Sequence, residues 1–467
     1  MIRIDVLPDD VLLEIFDFYT NMDVFYEGKR EIEAWQTLVH VCRRWRYLVF
    51  GSPRHLNLQL YCTPRTRIRD TLDVWPALPL RIIGRLASTD TTDNVIAALG
   101  HSNRVCEVDL EFFDGWQLEQ VLAPMLVSFP ELTDLQLWSS YGSVDVIPDS
   151  FLGGSAPRLR HLSLRSISFQ GLPKLLLSAT HLVHLHLFGI PQSGYLSPGE
   201  IVASLSVLFS LRSLRLEFGS PQSRPNLGSQ RPPPPKRSVL PALYEFHFKG
   251  ITEYLEELVT RIDTPHLSNM YITFFSQIDF DCRRLAQFID CTPTLRGRGE
   301  AHVQFDFITA NIALRHRTSD AHNNDLSIGI SSTEPDRRFS SIERICNSLP
   351  FFSLVEDLHI EDRYSRPFWE NDAIENTLWL DLLLPFIMVK NLYLSKEFGP
   401  GIAAALRELV SGRITEVLPS LQNIFVKGLE PSGPFQENIS QYIASRQLSG
   451  HPIVLSVCDE DFNVKKM

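Results

Sequence analysis

The chain has 467 residues, 44% of them hydrophobic and 21% charged, which is the make-up of a folded protein and excludes wholesale disorder. That length exceeds one ordinary core, so several domains or an extended repeat array are expected. Lysine and arginine number 44 against 55 acids, a net charge of −11, so the overall field repels nucleic acid and anionic membranes and neither is expected as a partner.

The first expected element is a helix. Leu7-Pro8-Asp9-Asp10 opens it, because proline is tolerated where its missing N–H has no partner and acids there complement the helix dipole. Val11, Leu12, Ile15, Phe16 and Tyr19 then recur at helical spacing and leave an apolar stripe in need of cover. After the polar segment TNMDVFYEGKREIEA, Trp35, Leu38, Val39, Cys42 and Trp45 mark one face of a second helix or kinked pair, with Arg43, Arg44 and Arg46 on the other. A unit of about fifty residues buries too little surface to be comfortable alone, so a docked partner would supply the missing core.

Leu7-Pro8, then Ile15-Phe16, then Val41-Cys42-Arg43-Arg44-Trp45-Arg46 resembles the F-box, over about a tenth of the chain. The link between Tyr19 and Trp35 is longer than is usual in that family. The resemblance implies a helical module over residues 1–50 that docks a Skp-type adaptor and, through it, a cullin-RING ubiquitin ligase. Leu7, Pro8, Leu12, Ile15 and Phe16 of the first helix and Leu38, Val41, Cys42 and Trp45 of the closing ones would then bind the adaptor or form the module's own small core.

Residues 51–104 read as a linker and capping segment. Within it, Leu56, Leu58 and Leu60 alternate with polar residues as in a short half-buried strand, LPLRIIG at 78–84 reads as a second strand, and NVIAALG at 94–100 as a helix. A repeat follows: VCEVDL from Val105, LTDLQL from Leu132, LRHLSL from Leu159, LVHLHL from Leu182, LRSLRL from Leu211 and LYEFHF from Leu243, with starts 27, 27, 23, 29 and 32 residues apart. Weaker copies begin at Leu267, Val355, Val389 and Leu421, and helical stretches such as LEQVLAPMLVSFP, GLPKLLLSA and GEIVASLSVLFS lie between. This pattern resembles the leucine-rich repeat. It implies an α/β fold: a helical N-terminal module followed, over 105–467, by an irregular solenoid of parallel strands with helical or irregular returns.

The asparagine or cysteine that many such repeats place three residues past the last leucine is missing, since Ser140, Ile167, Ile190, Gly219 and Ile251 stand there. The proline-rich stretch 219–241, with Pro232 to Pro235 at its centre, reads as a loop inserted before the Leu243 strand. Between Arg296 and Phe339, GRGEAHVQFDF has strand alternation, whereas TSDAHNNDLS and SSTEPDRR read as loops.

On each LxxLxL strand the leucines face the core, so the third, fifth and seventh positions form an opposite, concave face. Trp138, His161, Arg165, His184, His186, Phe188, Arg215 and His247 fall there and are the expected target-binding residues, being rich in the aromatic and arginine types that dominate interfaces. His161, His184 and His186 also have metal-ligand chemistry at strand spacing, yet a solvated polar face explains them, and no metal or cofactor is expected.

Nucleophile-elbow, phosphate-loop, dinucleotide and zinc-protease motifs are absent, so no enzyme is expected. The seven cysteines are scattered, odd in number and lack zinc-ligand spacing. With no charged-then-apolar N-terminus and no long apolar run, a cytoplasmic or nuclear location is expected. The whole reads as a substrate-recognition subunit of a ubiquitin ligase holding an unknown target protein. A repeat scaffold unconnected to ubiquitin, or an enzyme without a recognisable motif, stand as the alternatives.

Overall fold

The structure is a computed structural model that describes residues 7–21, 34–86, 89–140, 146–221, 237–275, 281–296, 299–306, 308–315, 326–332, 334–362, 375–409, 413–427 and 434–458. It divides into two compact units, Met1–Leu182 and Val183–Met467. Among the described residues no helix is long and apolar enough to cross a membrane.

The first unit opens with α1 (Asp9–Asn21), α2 (Ala34–Val39) and α3 (Arg43–Gly51). Asp9 and Asp10 occupy the first turn of α1, and the Leu12 amide closes that turn on the Pro8 carbonyl at 3.0 Å. There follow β1 (Leu60–Cys62), α4 (Ile68–Val74), β2 (Leu80–Leu86), α5 (Thr89–Leu99), β3 (Val105–Phe112), α6 (Gly115–Leu122), β4 (Asp134–Ser139), β5 (His161–Arg165) and α7 (Leu172–Ser178). All five strands pair in parallel in chain order. The parallel ladder therefore begins at Leu60, inside the segment expected to be a linker and cap. Leu56, Leu58 and Leu60 are all buried, but only Leu60 lies in a strand, because 53–57 is a turn with Asn57 in the left-handed region at φ 47°.

The second unit runs through β6 (His184–Ile190), α8 (Pro198–Leu205), β7 (Ser213–Phe218), β8 (Ser238–Val239), β9 (Glu245–Gly250), α9 (Thr252–Val259), β10 (Ile262–Asp263), β11 (Asn269–Phe275) and α10 (Arg283–Cys291). It continues with β12 (Glu300–Phe305), β13 (Thr309–Arg315), β14 (Leu326–Ser331), α11 (Pro335–Ser348), β15 (Asp357–Asp362), α12 (Asn376–Leu383), β16 (Asn391–Leu394), α13 (Gly399–Glu408), β17 (Asn423–Lys427), α14 (Pro434–Leu448) and β18 (Val454–Cys458). Its long sheet has the order β6-β7-β9-β11-β14-β13-β12-β15-β16-β17-β18.

All ten segments with the LxxLxL pattern contribute strands, and where two such strands pair within a unit their second leucine-type positions stand in register: Leu214 beside Phe246, Phe246 beside Met270, Leu358 beside Leu392, Leu392 beside Ile424. Each of these side chains is fully buried. Burying one such side chain contributes about 1.5–3 kcal/mol, so the aligned row is the core. The helices between strands are set by local chemistry: Ser197 and Glu200 form a capping box on α8 with Pro198 in its first turn. The fold is thus mixed α/β with long runs of parallel strands, compatible with a leucine-rich-repeat-like array.

The array breaks its own rule once. Strands β12 and β13, and β13 and β14, pair antiparallel. Only residues 306–308 separate β12 from β13, and a parallel partner needs a crossover of about a dozen residues. The expected loop SSTEPDRR is partly helical, since Pro335 starts α11 from a position where proline needs no N–H partner. Most of TSDAHNNDLS lies outside the described residues, as do Pro232 to Pro235. The end of the proline-rich stretch is not loop but β8, which pairs with β10.

Main-chain groups do the work of the missing asparagine ladder: the amides of Ser140, Gly219 and Ser395 donate to the carbonyls of Phe112, Ile190 and Ile360 at 2.9, 2.9 and 3.0 Å. Arg446 on α14 takes a similar part. Fully buried, it donates to the carbonyls of Ile414, Pro419 and Leu421 at 3.2, 3.2 and 3.3 Å. Replacing it by methionine keeps the volume and strands these carbonyls, at a cost of about 1–3 kcal/mol for each buried unpaired group. Arg446→Met is expected to raise hydrogen exchange across 413–427 at least tenfold; unchanged protection there would refute the assigned role.

Candidate functional site

Two surfaces combine the residues singled out above: the N-terminal helices and the strand faces opposite the buried row. On the helices the structure divides the nine residues expected at an adaptor interface. Leu12, Phe16 and Leu38 are buried and belong to the module's own core, so they are not available to a partner. Trp45, half-buried, tilts against Phe16 with ring centroids 4.7 Å apart. Pro8, Ile15, Val41 and Cys42 are exposed, and Leu7 is half-buried with its carbonyl accepting from Arg44 at 2.6 Å. Arg44 also pairs with Asp9 at 2.6 Å, which holds the start of α3 against the start of α1.

Val11, Ile15 and Phe18, spaced i, i+4 and i+7, form an exposed apolar stripe along α1. Phe18 and Tyr47, 69% and 81% exposed, were not among the expected contact residues, although Phe18 continues the spacing of Val11 and Ile15. The second helix is differently placed. Trp35 donates to the Gln59 carbonyl at 3.1 Å and packs edge-on against Trp75 at 5.1 Å, so α2 is anchored to the body of its unit while the stripe on α1 is left bare.

On the strand face of the first unit, Trp138 and Arg165 stand in register, with the guanidinium 5.0 Å from the ring centroid, a cation–π contact. His161 lies 3.5 Å from Asp134; burial raises the Asp134 pKa, but hydrogen bonds from His161 and Thr133 outweigh it and hold the carboxyl below its usual range.

The second unit joins its predicted residues in one chain of hydrogen bonds. His186 meets the Ser213 hydroxyl at 3.0 Å, that hydroxyl donates to Glu245 at 3.0 Å, and Glu245 accepts from His247 Nε2 at 2.7 Å. Arg215 donates toward His247 Nδ1 at 3.3 Å and covers Phe188 with its guanidinium at 5.1 Å. Burial and the Arg215 charge hold the His247 pKa below its ordinary value despite Glu245, so the contact is a neutral imidazole on a carboxylate and not an ion pair. His184 and His186 meet edge to face, with ring centroids 5.9 Å apart.

Farther along the same unit, His302, His359, Tyr393 and Phe425 stack as a column, with successive centroids 4.2, 4.1 and 4.6 Å apart. His359, Tyr393 and Phe425 occupy the fifth position of their motifs, the position that yields His186, Arg215 and His247 in earlier repeats, so the same reading carried past Leu243 finds them. His302 stands on β12, outside the repeat pattern. Burial, with His302 and Arg315 nearby, pushes the His359 pKa down to about 3.

The lowered His247 pKa has a definite sign for stability. The unfolded ring binds a proton below about 6.5 that the folded ring resists, so this contribution is complete above pH 6.5 and is lost as pH falls toward the lowered value. His247→Gln is expected to remove a component of at most about 1.4 kcal/mol per pH unit from the acid limb of urea unfolding below pH 6.5. Superimposable acid limbs for the variant and the parent would exclude it.

No protein-family model matches this sequence, and no curated protein matches it. Among solved structures, the leucine-rich repeat-containing protein LegL7 from Legionella pneumophila is similar over 88% of this chain and 93% of its own, at 11% identity and a TM-score of 0.27.

Proposed function

We propose that the chain is the substrate-receptor subunit of a Skp-cullin-F-box ubiquitin ligase, with the N-terminal helices docking a Skp-type adaptor and the strand faces binding a target protein. The observation that carries this reading is the bare stripe Val11, Ile15 and Phe18 on α1, beside exposed Pro8, while α2 is anchored through Trp35. A cap built only to close the array would turn that stripe inward, because exposed apolar rows cost solubility and mark contact surfaces. In this role the chain carries out no covalent step. It holds a target near the ubiquitin-charged enzyme and raises the effective concentration of the accepting lysine.

For the target, the faces offer Trp138 with Arg165 in one unit and Phe188 with Arg215 in the other, each an aromatic ring under a guanidinium. Such pairs suit protein anchors, since arginine and aromatic side chains dominate interface energies.

The division between exposed and buried residues makes the reading testable without unfolding the module. Ile15→Asp combined with Val41→Asp, at positions 41% and 57% exposed, is expected to abolish co-purification of the full chain with a Skp-type adaptor and to leave the melting temperature unchanged. Phe16→Ala, in the module core, is expected instead to destabilise it by about 3–5 kcal/mol. Adaptor capture that survives the double aspartate variant would remove the ligase assignment.

A further inference from the structure

Strands β12 and β15 pair in parallel, with Glu300 beside Asp357 and His302 beside His359. Residues two apart on a strand, and those directly opposite on its neighbour, share one face of a sheet. Glu300, His302 and His359 therefore leave the backbone side by side. Their polar atoms also meet: Glu300 Oε1 lies 2.6 Å from His302 Nε2 and 3.3 Å from His359 Nε2. Each residue offers a ligand atom, and the three atoms lie within 4.8 Å of one another, the one such group of three among the described residues.

We propose that Glu300, His302 and His359 form a binding site for a divalent first-row metal ion of the zinc class. Two imidazole nitrogens and one carboxylate oxygen are a donor set that suits such an ion and leaves a coordination position open. Both strands are fixed by ladder pairing on either side, β12 by β13 and β15 by β16, so binding calls for side-chain adjustment alone. The adjustment is specific. The rings stack with planes only 12° apart, so their lone pairs lie in two nearly parallel planes and cannot both aim at an ion between the rings, and at least one imidazole turns about its Cβ–Cγ bond to bring both nitrogens to about 2.0–2.1 Å from one ion.

Two neighbours bear on affinity in opposite directions. Glu361 Oε1 stands 3.9 Å from His359 Nδ1, outside hydrogen-bond reach, and the ring turn that brings Nε2 onto the ion has to close that gap before Glu361 can accept the N–H and orient the ring. Arg315, opposite Glu300 across the antiparallel pair, puts a positive charge beside the site and opposes a cation. His302 Nδ1 is buried without a hydrogen-bond partner, so among the described residues Glu300 is that ring's hydrogen-bond anchor.

The test is titration of the full, untagged, chelator-treated chain with Zn²⁺ against a chromophoric chelator, with Co²⁺ absorption reporting the ligand set. One ion per chain is expected. His302→Gln and His359→Gln should each weaken binding by more than the roughly 10–100-fold that loss of an outer-shell partner costs, and Glu361→Gln by about 10-fold. Arg315→Gln should tighten it, and His184→Gln with His186→Gln should leave it unchanged. Glu300→Gln, which keeps shape and both rings, should weaken binding, and the melting temperature of the metal-free variant measured alongside separates loss of a ligand from loss of fold. Absence of a one-to-one complex, or a complex that survives His302→Gln with His359→Gln, would overturn the site.

Discussion

Everything in this molecule depends on keeping one apolar row per strand in register with the next. A single strand and its returning helix cannot bury that row alone; the neighbouring strand supplies the missing cover. Leu358, Leu392 and Ile424 line up across three parallel strands for this reason, and each is fully buried. Because side chains alternate, the same register lines up the opposite face. His359, Tyr393 and Phe425 are stacked because Leu358, Leu392 and Ile424 are packed.

That coupling explains how polar and aromatic groups far apart in sequence become neighbours. His186, Ser213 and Glu245 lie on three strands, yet they form one hydrogen-bonded chain with His247 and Arg215. An amide ladder of the same origin runs from Asn423 to Asn391 at 2.8 Å and from Asn391 to Asp357 at 2.5 Å. Repeat spacing varies along the chain, but register is kept by the ladder and not by the length of each return, so irregular returns do not disturb the face.

The N-terminal helices obey a different constraint. With so few residues they cannot cover both sides of α1, and the structure spends Leu12 and Phe16 on the inner side while Val11, Ile15 and Phe18 face outward. Helical spacing alone marks both rows as apolar. Which row is inside depends on Trp45 packing on Phe16 and on Arg44 tying Asp9 and the Leu7 carbonyl to α3, contacts made across the long link between the first two helices.

By itself the sequence determined the repeated strand, its buried leucines and the alternation that exposes the other positions, because these follow from a period of two within six residues and need no distant partner. It also marked the helical stretches between the early repeats and the strand at 78–84. Only the tertiary structure decided the rest. It drew residues 60–86 into the parallel ladder, reversed β13 between β12 and β14, split the apolar rows of α1 into core and surface, and brought Glu300 and His302 against His359. The physical reason is the same in each case: these outcomes depend on which strand or helix lies alongside, and adjacency is set by ladder pairing between segments tens of residues apart, which no local pattern records.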